Sequence, residues 1–174
     1  MSKTEKNLKL AFTGESQANR KYLAFAQRAA DEYKEGIYKL FIALAEGETI
    51  HALKHFRHNK GVKSTKENLE ESISGEMHEH TTMYPQMVAD AREEGEKGAE
   101  VTLRNAMEVE KIHQKLLEEA LNNIDDFPVR DYYICPACGY VEPDEAPDKC
   151  PVCGAVKSSF YKVMSQKEEG IPNL

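Results

Sequence analysis

The 174-residue sequence contains no tryptophan. It also has no apolar run approaching ~18 residues, so it predicts no membrane-spanning helix. Its first residues, Met1-Ser2-Lys3-Thr4-Glu5-Lys6, lack the apolar stretch of a secretory signal. Cations are in deficit, 23 Lys and Arg against 30 Asp and Glu. A net charge of -7 argues against a general nucleic-acid binder, because phosphate backbones are held by clustered Lys and Arg. Hydrophobic residues make up 40% and charged residues 30%, the balance of a soluble globular chain rather than a disordered one. Four cysteines without a signal stretch predict a reducing, cytoplasmic setting, where metal ligands or redox thiols are expected before structural disulfides.

Proline and cysteine are distributed unevenly. Residues 1–125 hold one proline, Pro85, and no cysteine; the rest holds six of the seven prolines and all four cysteines. The shift predicts a helical domain over 1–125, a semi-rigid linker over 126–131 around Phe127-Pro128, and a small module over 132–174. Periodicity predicts four helical segments. The first runs from Thr4 to Tyr33, the second from Ile37 to Lys60 with a stop at Gly61, and the fourth from Glu100 to Asn123. The third opens on a capping box, Ser64-Thr65-Lys66-Glu67, and reaches Glu94, with a kink at Pro85. Four long helices predict a four-helix bundle.

The inward stripe of each helix is apolar except at its middle. It reads Leu8, Ala11, Glu15, Ala18, Tyr22, Phe25, Ala29 in the first helix, and Leu40, Leu44, Glu48, His51, His55 in the second. The third gives Leu69, Ile73, Glu76, Glu79, Met83, Met87, and the fourth Leu103, Ala106, Glu110, His113, Leu117, Ala120, Ile124. A buried, unpaired carboxylate costs several kcal/mol or stays protonated. Five sharing one interior repel one another, and no Lys or Arg lies on these stripes. Metal cations are the natural counter-charge.

The spacing sharpens this. Glu48-Thr49-Ile50-His51 and Glu110-Lys111-Ile112-His113 are both Glu-x-x-His. Glu15 precedes Glu48 by 33 residues and Glu76 precedes Glu110 by 34, so the helix pairs read as two copies of one unit. A Glu from each of two helices with Glu-x-x-His from each of the other two is the dinuclear carboxylate pattern of helix bundles. Residues three apart share a helix face, so each Glu and His can reach one metal pair. Oxygen-rich ligands with two imidazoles suit iron or manganese better than zinc. Glu79 is one carboxylate more than the pattern needs. Gly14, Gly47 and Gly75 each precede a proposed ligand; close helix approach or room for a substrate would explain them. His55 is expected in a hydrogen-bonded core role, and His78 and His80 on the solvated face.

The C-terminal region carries Cys135-Pro136-Ala137-Cys138-Gly139 and, after eleven residues counted from Gly139, Cys150-Pro151-Val152-Cys153-Gly154. Two Cys-Pro-x-Cys-Gly knuckles converging on one metal form a specific signal. The glycine after each second cysteine lets the backbone turn so that amide N–H groups point at sulfur. Zinc would make the module an inert ribbon; iron would make it a one-electron carrier. Tyr132, Tyr133, Tyr140, Phe160 and Tyr161 supply aromatics around the site, which favours iron.

Taken together, Gly14-Glu15-Ser16, Glu48-x-x-His51, Gly75-Glu76-x-x-Glu79, Met83-Tyr84-Pro85, Glu110-Lys111-Ile112-His113 and the two knuckles resemble the rubrerythrin family over nearly the whole length. The resemblance implies a mainly α fold, a ferritin-like four-helix bundle followed by a small rubredoxin-like β domain. It implies two iron ions in a carboxylate-bridged site, with Glu48 and Glu110 bridging, Glu15 and Glu79 on one iron, and Glu76 and His113 on the other. His51 would replace Glu79 on reduction. A third iron would sit between Cys135, Cys138, Cys150 and Cys153, a site that also takes zinc. The implied activity is reduction of hydrogen peroxide to water in anaerobes or microaerobes. The expected electron donor is a rubredoxin or an NAD(P)H-dependent reductase. The expected assembly is a head-to-tail homodimer in which the thiolate iron of one subunit serves the dinuclear site of the other. Tyr22 and Tyr84 lie about two turns past Glu15 and Glu76, within reach of the metals, and are expected to hydrogen-bond a bound oxygen species. Two other readings compete: a ferroxidase that oxidises and stores iron, and a non-enzymatic zinc-ribbon adaptor. The first leaves the cysteine module without a purpose, the second the inward glutamates.

Overall fold

The computed structural model describes residues 1–164. The chain divides into two compact units, Met1–Lys63 and the part from Ser64 onward. The fold is mainly helical, with a small three-stranded antiparallel sheet near the C-terminus. Among the described residues, no helix is long and apolar enough to cross a membrane.

The first unit is a hairpin of α1 (Lys3–Asp31) and α2 (Glu35–His58). A capping box starts α1: Ser2 Oγ accepts from the Glu5 N–H at 3.1 Å, and the Glu5 carboxylate accepts from the Ser2 N–H at 2.6 Å. Tyr33, in the left-handed region at φ 57°, turns the chain into α2. The buried residues are small: Ala26 and Ala29 on α1, Ala45 and Ala52 on α2, with Asn19 the one buried polar residue among those described. Rings close the interface along its length, with Phe12 stacked on Phe56 at 4.9 Å and Tyr22 on Phe41 at 6.0 Å.

In the second unit the expected third helix is three pieces. α3 (Thr65–His78) opens on the predicted capping box of Ser64 and Glu67. A π-helical segment, Glu79–Met83, follows, and then α4 (Tyr84–Glu93). Pro85 stands in the first turn of α4, where its missing N–H costs least. The kink expected at Pro85 is therefore taken up as a wider turn just before it, in which the Tyr84 N–H reaches back five residues to the Glu79 carbonyl. Gly95, at φ 76°, ends this run, and α5 (Lys97–Asn122) returns along it.

The chain after α5 forms β1 (Tyr132–Ile134), β2 (Val141–Pro143) and β3 (Tyr161–Lys162) in the order β2-β1-β3, with Tyr133 opposite Glu142 on one side and Lys162 on the other. Among the described residues, the module's buried cysteines share a cluster with α5. Val109 of α5 is buried with Cys135, Tyr140 and Cys150, and Ile112 and Phe160 pack on the same cluster. The segment between α5 and β1 is pinned too: the Arg130 guanidinium donates to Glu119 at 2.9 Å and lies over the Phe127 ring at 5.4 Å. Residues 165–174 of the expected module lie outside the described residues.

Not every apolar stripe residue is buried. Phe25, Leu40, Leu44 and Met87 are 41–57% exposed. The stripes run through the ligand-bearing faces, whereas the buried helix contact inside the first unit is made of alanines, of which only Ala29 lies on a stripe. Two bounds also differ in cause. α2 ends at His58, and Lys60, at φ 58°, makes the turn. Gly61 is needed for another reason: a Cβ there would stand 2.2 Å from the Phe56 ring.

Candidate metal centre

Helix α1 contributes Glu15, and α2 contributes Glu48 and His51 one turn apart. Their ligand atoms lie within 4.8 Å of one another. His51 Nδ1 is 3.0 Å from a Glu48 oxygen and 3.9 Å from a Glu15 oxygen. In the second unit, α3 contributes Glu76, and α5 contributes Glu110 and His113, again within 4.8 Å. His113 Nδ1 is 2.8 Å from a Glu110 oxygen and 3.9 Å from a Glu76 oxygen. The repeat seen as residue offsets is thus a repeat of geometry. Each helix pair presents two carboxylates and one imidazole through Nδ1 in the same arrangement.

The imidazole of His113 is oriented from behind. Its Nε2 faces the Gly139 carbonyl at 3.3 Å, and that oxygen can only accept. A proton therefore sits on Nε2, and Nδ1 faces the carboxylates. At 2.8 Å from a Glu110 oxygen, that nitrogen is placed either to carry a proton of its own or to share a cation with the carboxylate, and the carboxylates around it are short of positive charge. Glu76 reports the same deficit: burial, then the hydrogen bond and charge of Glu110, push its carboxyl up to about 7. The donor set, oxygen-rich with imidazole, is that of a diiron-type centre and fits a divalent metal.

Glu79 stands at the first position of the π-helical segment, three residues past Glu76, and is half-buried. It is not grouped with the three ligands of its unit. Tyr84 is close to the carboxylates: burial, then Glu110, Glu79 and Glu76, hold its phenol above the ordinary range, so its hydroxyl stays protonated. Tyr22 is half-buried against Phe41 on α2. His80, expected on the solvated face, is instead half-buried, and its Nε2 meets Gln114 Oε1 at 2.6 Å. The extra residue of the π turn rotates it toward α5. A Cβ on Gly14, Gly47 or Gly75 would meet nothing within 4 Å, so close packing does not explain these glycines.

The four cysteines converge as predicted. Cys135 and Cys153 sulfurs are 3.6 Å apart, and Cys138 and Cys150 sulfurs 3.5 Å. A disulfide needs ~2.05 Å. Tetrahedral thiolates at ~2.3 Å from a metal lie about 3.8 Å apart, so the spacing is that of a metal site. Both knuckles are built alike. Gly139 and Gly154, at φ 85° and 79°, donate to the Cys135 and Cys150 carbonyls at 2.9 Å. Burial drives the Cys150 thiol up, but the backbone N–H groups of Cys153 and Val152 outweigh it and leave the thiol below its ordinary value. The amides do point at sulfur. Burial, followed by the neighbouring thiols, pushes Cys138 up, as expected of four sulfurs sharing a space without their cation.

One link joins the two kinds of site. Gly139, which accepts from His113, is the residue after Cys138. On α5, Val109 and Ile112 face the thiolate cluster, while Glu110 and His113 face the carboxylates. Sequence reasoning missed Val109, Asn19 and the His80–Gln114 pair. Val109 and Ile112, an apolar pair spaced like Glu110 and His113 on the next face, were the available signal.

Comparison with known proteins gives a concordant result. The family model described as rubrerythrin matches residues 6–121, and that described as the rubrerythrin rubredoxin-like domain matches residues 133–161. Rubrerythrin-2 of Clostridium acetobutylicum is 37% identical over 170 residues, covering 88% of this chain and 92% of its own. Nigerythrin of Nitratidesulfovibrio vulgaris is 33% identical, covering 90% and 85%. A solved structure of fully reduced, all-ferrous nigerythrin is similar with a TM-score of 0.57 at 32% identity, over 94% of this chain and 88% of that one. The helices and the strand module are those of a ferritin-like bundle followed by a rubredoxin-like domain.

Proposed function

The chain belongs to the rubrerythrin family, and on that premise we propose that it is an oxidoreductase, a non-haem diiron peroxidase. It reduces hydrogen peroxide to two waters with two electrons and two protons. Glu15, Glu48, Glu76, Glu79, Glu110 and His113 would hold the two irons, with His51 as the alternative to Glu79. Cys135, Cys138, Cys150 and Cys153 hold a third iron. Iron bound at these residues supplies the two stored electrons at the carboxylates and a one-electron relay at the thiolates. The helical part is residues 1–125, the linker 126–131, and the electron-accepting module 132–174.

The residues divide the remaining work. The carboxylates would neutralise the charge of the metals, and Glu76, pushed up to about 7 by burial and by Glu110, is a carboxyl whose ionisation a bound cation would favour strongly. Tyr84 keeps its phenolic proton and offers it as a hydrogen bond to the substrate oxygen. Tyr22 is assigned the same role from the α1 side. His113 holds its proton on Nε2 by donating to Gly139, which fixes the ring. The observation that carries the reading is this bond from the carboxylate cluster to the residue following Cys138. An iron-storage site has no use for a thiolate relay coupled to its ligand. The donor to that relay is a rubredoxin or an NAD(P)H-dependent reductase. The working state is a cytoplasmic homodimer.

The test is turnover with the relay disabled. Peroxide consumption coupled to a reductase is measured for the iron-loaded protein and for protein with zinc in the thiolate site. Zinc should abolish sustained turnover while leaving a single oxidation of the reduced dinuclear site intact. Equal sustained turnover in both would contradict the reading.

A further inference from the structure

Between its ring pairs, Phe12–Phe56 and Tyr22–Phe41, the fully buried part of the contact between α1 and α2 is made of small side chains. Its buried side chains are Ala26, Ala29, Ala45 and Ala52. A cleft of about 150 Å³, lined in part by Phe12, Ser16, Asn19 and Thr49, lies along it. The Phe12–Phe56 and Tyr22–Phe41 ring pairs hold the helices on either side, but they are flat stacked contacts, and alanine against alanine adds little that resists a slide of one helix along the other. Yet a slide of one turn would move Glu15 by ~5.4 Å from Glu48 and His51 and dismantle the cluster.

One polar device breaks that degeneracy. Asn19 is buried among the alanines, one turn from Glu15 on the same face of α1. Its Nδ2 donates to the Ala45 carbonyl at 2.7 Å and to Thr49 Oγ1 at 2.8 Å. Thr49 Oγ1 in turn donates to the Ala45 carbonyl at 3.1 Å. The three form a closed triangle in which both amide protons and the hydroxyl proton are used. Thr49 follows Glu48 directly, and Ala45 precedes it by three residues. A slide would leave the buried Asn19 amide without its partners, which costs far more than displaced methyls. A single buried asparagine fixes register between apolar helices in the same way.

We propose that Asn19, with Thr49, is a positioning residue for the dinuclear centre: it locks the register of α1 on α2 and so sets Glu15 against Glu48 and His51. The inference rests on the ligand assignment proposed above. Asn19 touches neither metal nor substrate; it acts through the glutamates.

The test uses the full-length protein loaded with iron. Asn19→Leu and Thr49→Val replace the polar groups by apolar ones of similar size, and Thr49→Ser keeps the hydroxyl. Helix content, iron bound per chain and the Mössbauer signature of the dinuclear iron are measured together. The thiolate charge-transfer absorption serves as an internal control in the other unit. Asn19→Leu and Thr49→Val are expected to retain helix content and the thiolate absorption. They should lower affinity for the dinuclear iron by about 10-fold or more and broaden its signature. Thr49→Ser should match the unmodified protein. Unchanged dinuclear iron in Asn19→Leu and Thr49→Val would overturn the proposal. So would losses that track helix content, with Thr49→Ser no better than Thr49→Val. Glu48→Ala separates the two claims. If it too leaves the dinuclear iron unchanged, the ligand assignment has failed; if it removes that iron while Asn19→Leu does not, only the register lock has failed.

Discussion

Glu76 concentrates the electrostatics of its half of the site. Its carboxyl is pushed from 4.5 to about 7 by burial and by Glu110. An acid raised in the folded chain binds its proton more tightly there than in the unfolded chain. Its contribution to stability is therefore fully present below pH 4.5 and is lost as pH rises through about 7. Metal-free protein should lose denaturation midpoint over that window, and metal-free Glu76→Gln should lose less. Equal slopes for the two would refute the assignment. The ligand residues were legible in the sequence because four apolar stripes were each broken by glutamate, and because Glu-x-x-His occurred twice at matching offsets. Asn19 was not legible: it lies one turn past Glu15, but a polar residue there reads as solvated, and its burial depends on how closely alanines let α2 approach. His80 was misplaced because the periodicity assumed 3.6 residues per turn through a stretch that winds as a π-helix.

At the scale of elements, local chemistry accounts for most starts and stops. The capping box at Ser64 is both the sequence signal and the observed start of α3. Ser64→Ala should lower stability by about 1 kcal/mol in denaturant unfolding, since it frees the Glu67 N–H; no change would deny the cap a role. The ends were less legible. Gly61 marked the end of α2 correctly but for the wrong reason, because Lys60 bears the left-handed conformation and the glycine makes room for Phe56. Pro85 signalled a break, but only the structure shows the break displaced upstream into Glu79–Met83, the segment that carries the extra carboxylate. A π turn there sets Glu79 off from the regular α3 face that bears Glu76.

At the scale of the whole molecule, the change in composition after residue 125 suggested a module joined by a linker. The module is held to α5 by more than a linker. Val109, 2% exposed, lies among the cysteines, and His113 reaches the Gly139 carbonyl. Such contacts across sequence distance leave no periodic trace, which is why the cysteine knuckles were legible and their seat on α5 was not. Val109→Ala should cost about 2 kcal/mol through the cavity it opens. It should also slow electron delivery to the carboxylate site while the thiolate absorption persists, as stopped-flow spectra can follow. Unaltered delivery would mean that the packing on α5 does not set the path.

The most direct measurement mixes the iron-loaded, fully reduced protein anaerobically with hydrogen peroxide and follows absorbance by stopped flow. Rapid oxidation of the dinuclear site, followed by oxidation of the thiolate iron in the same molecules, is the predicted result. A slow reaction with peroxide beside a fast one with oxygen, leaving the thiolate iron reduced, would contradict peroxide reduction and point to iron oxidation instead.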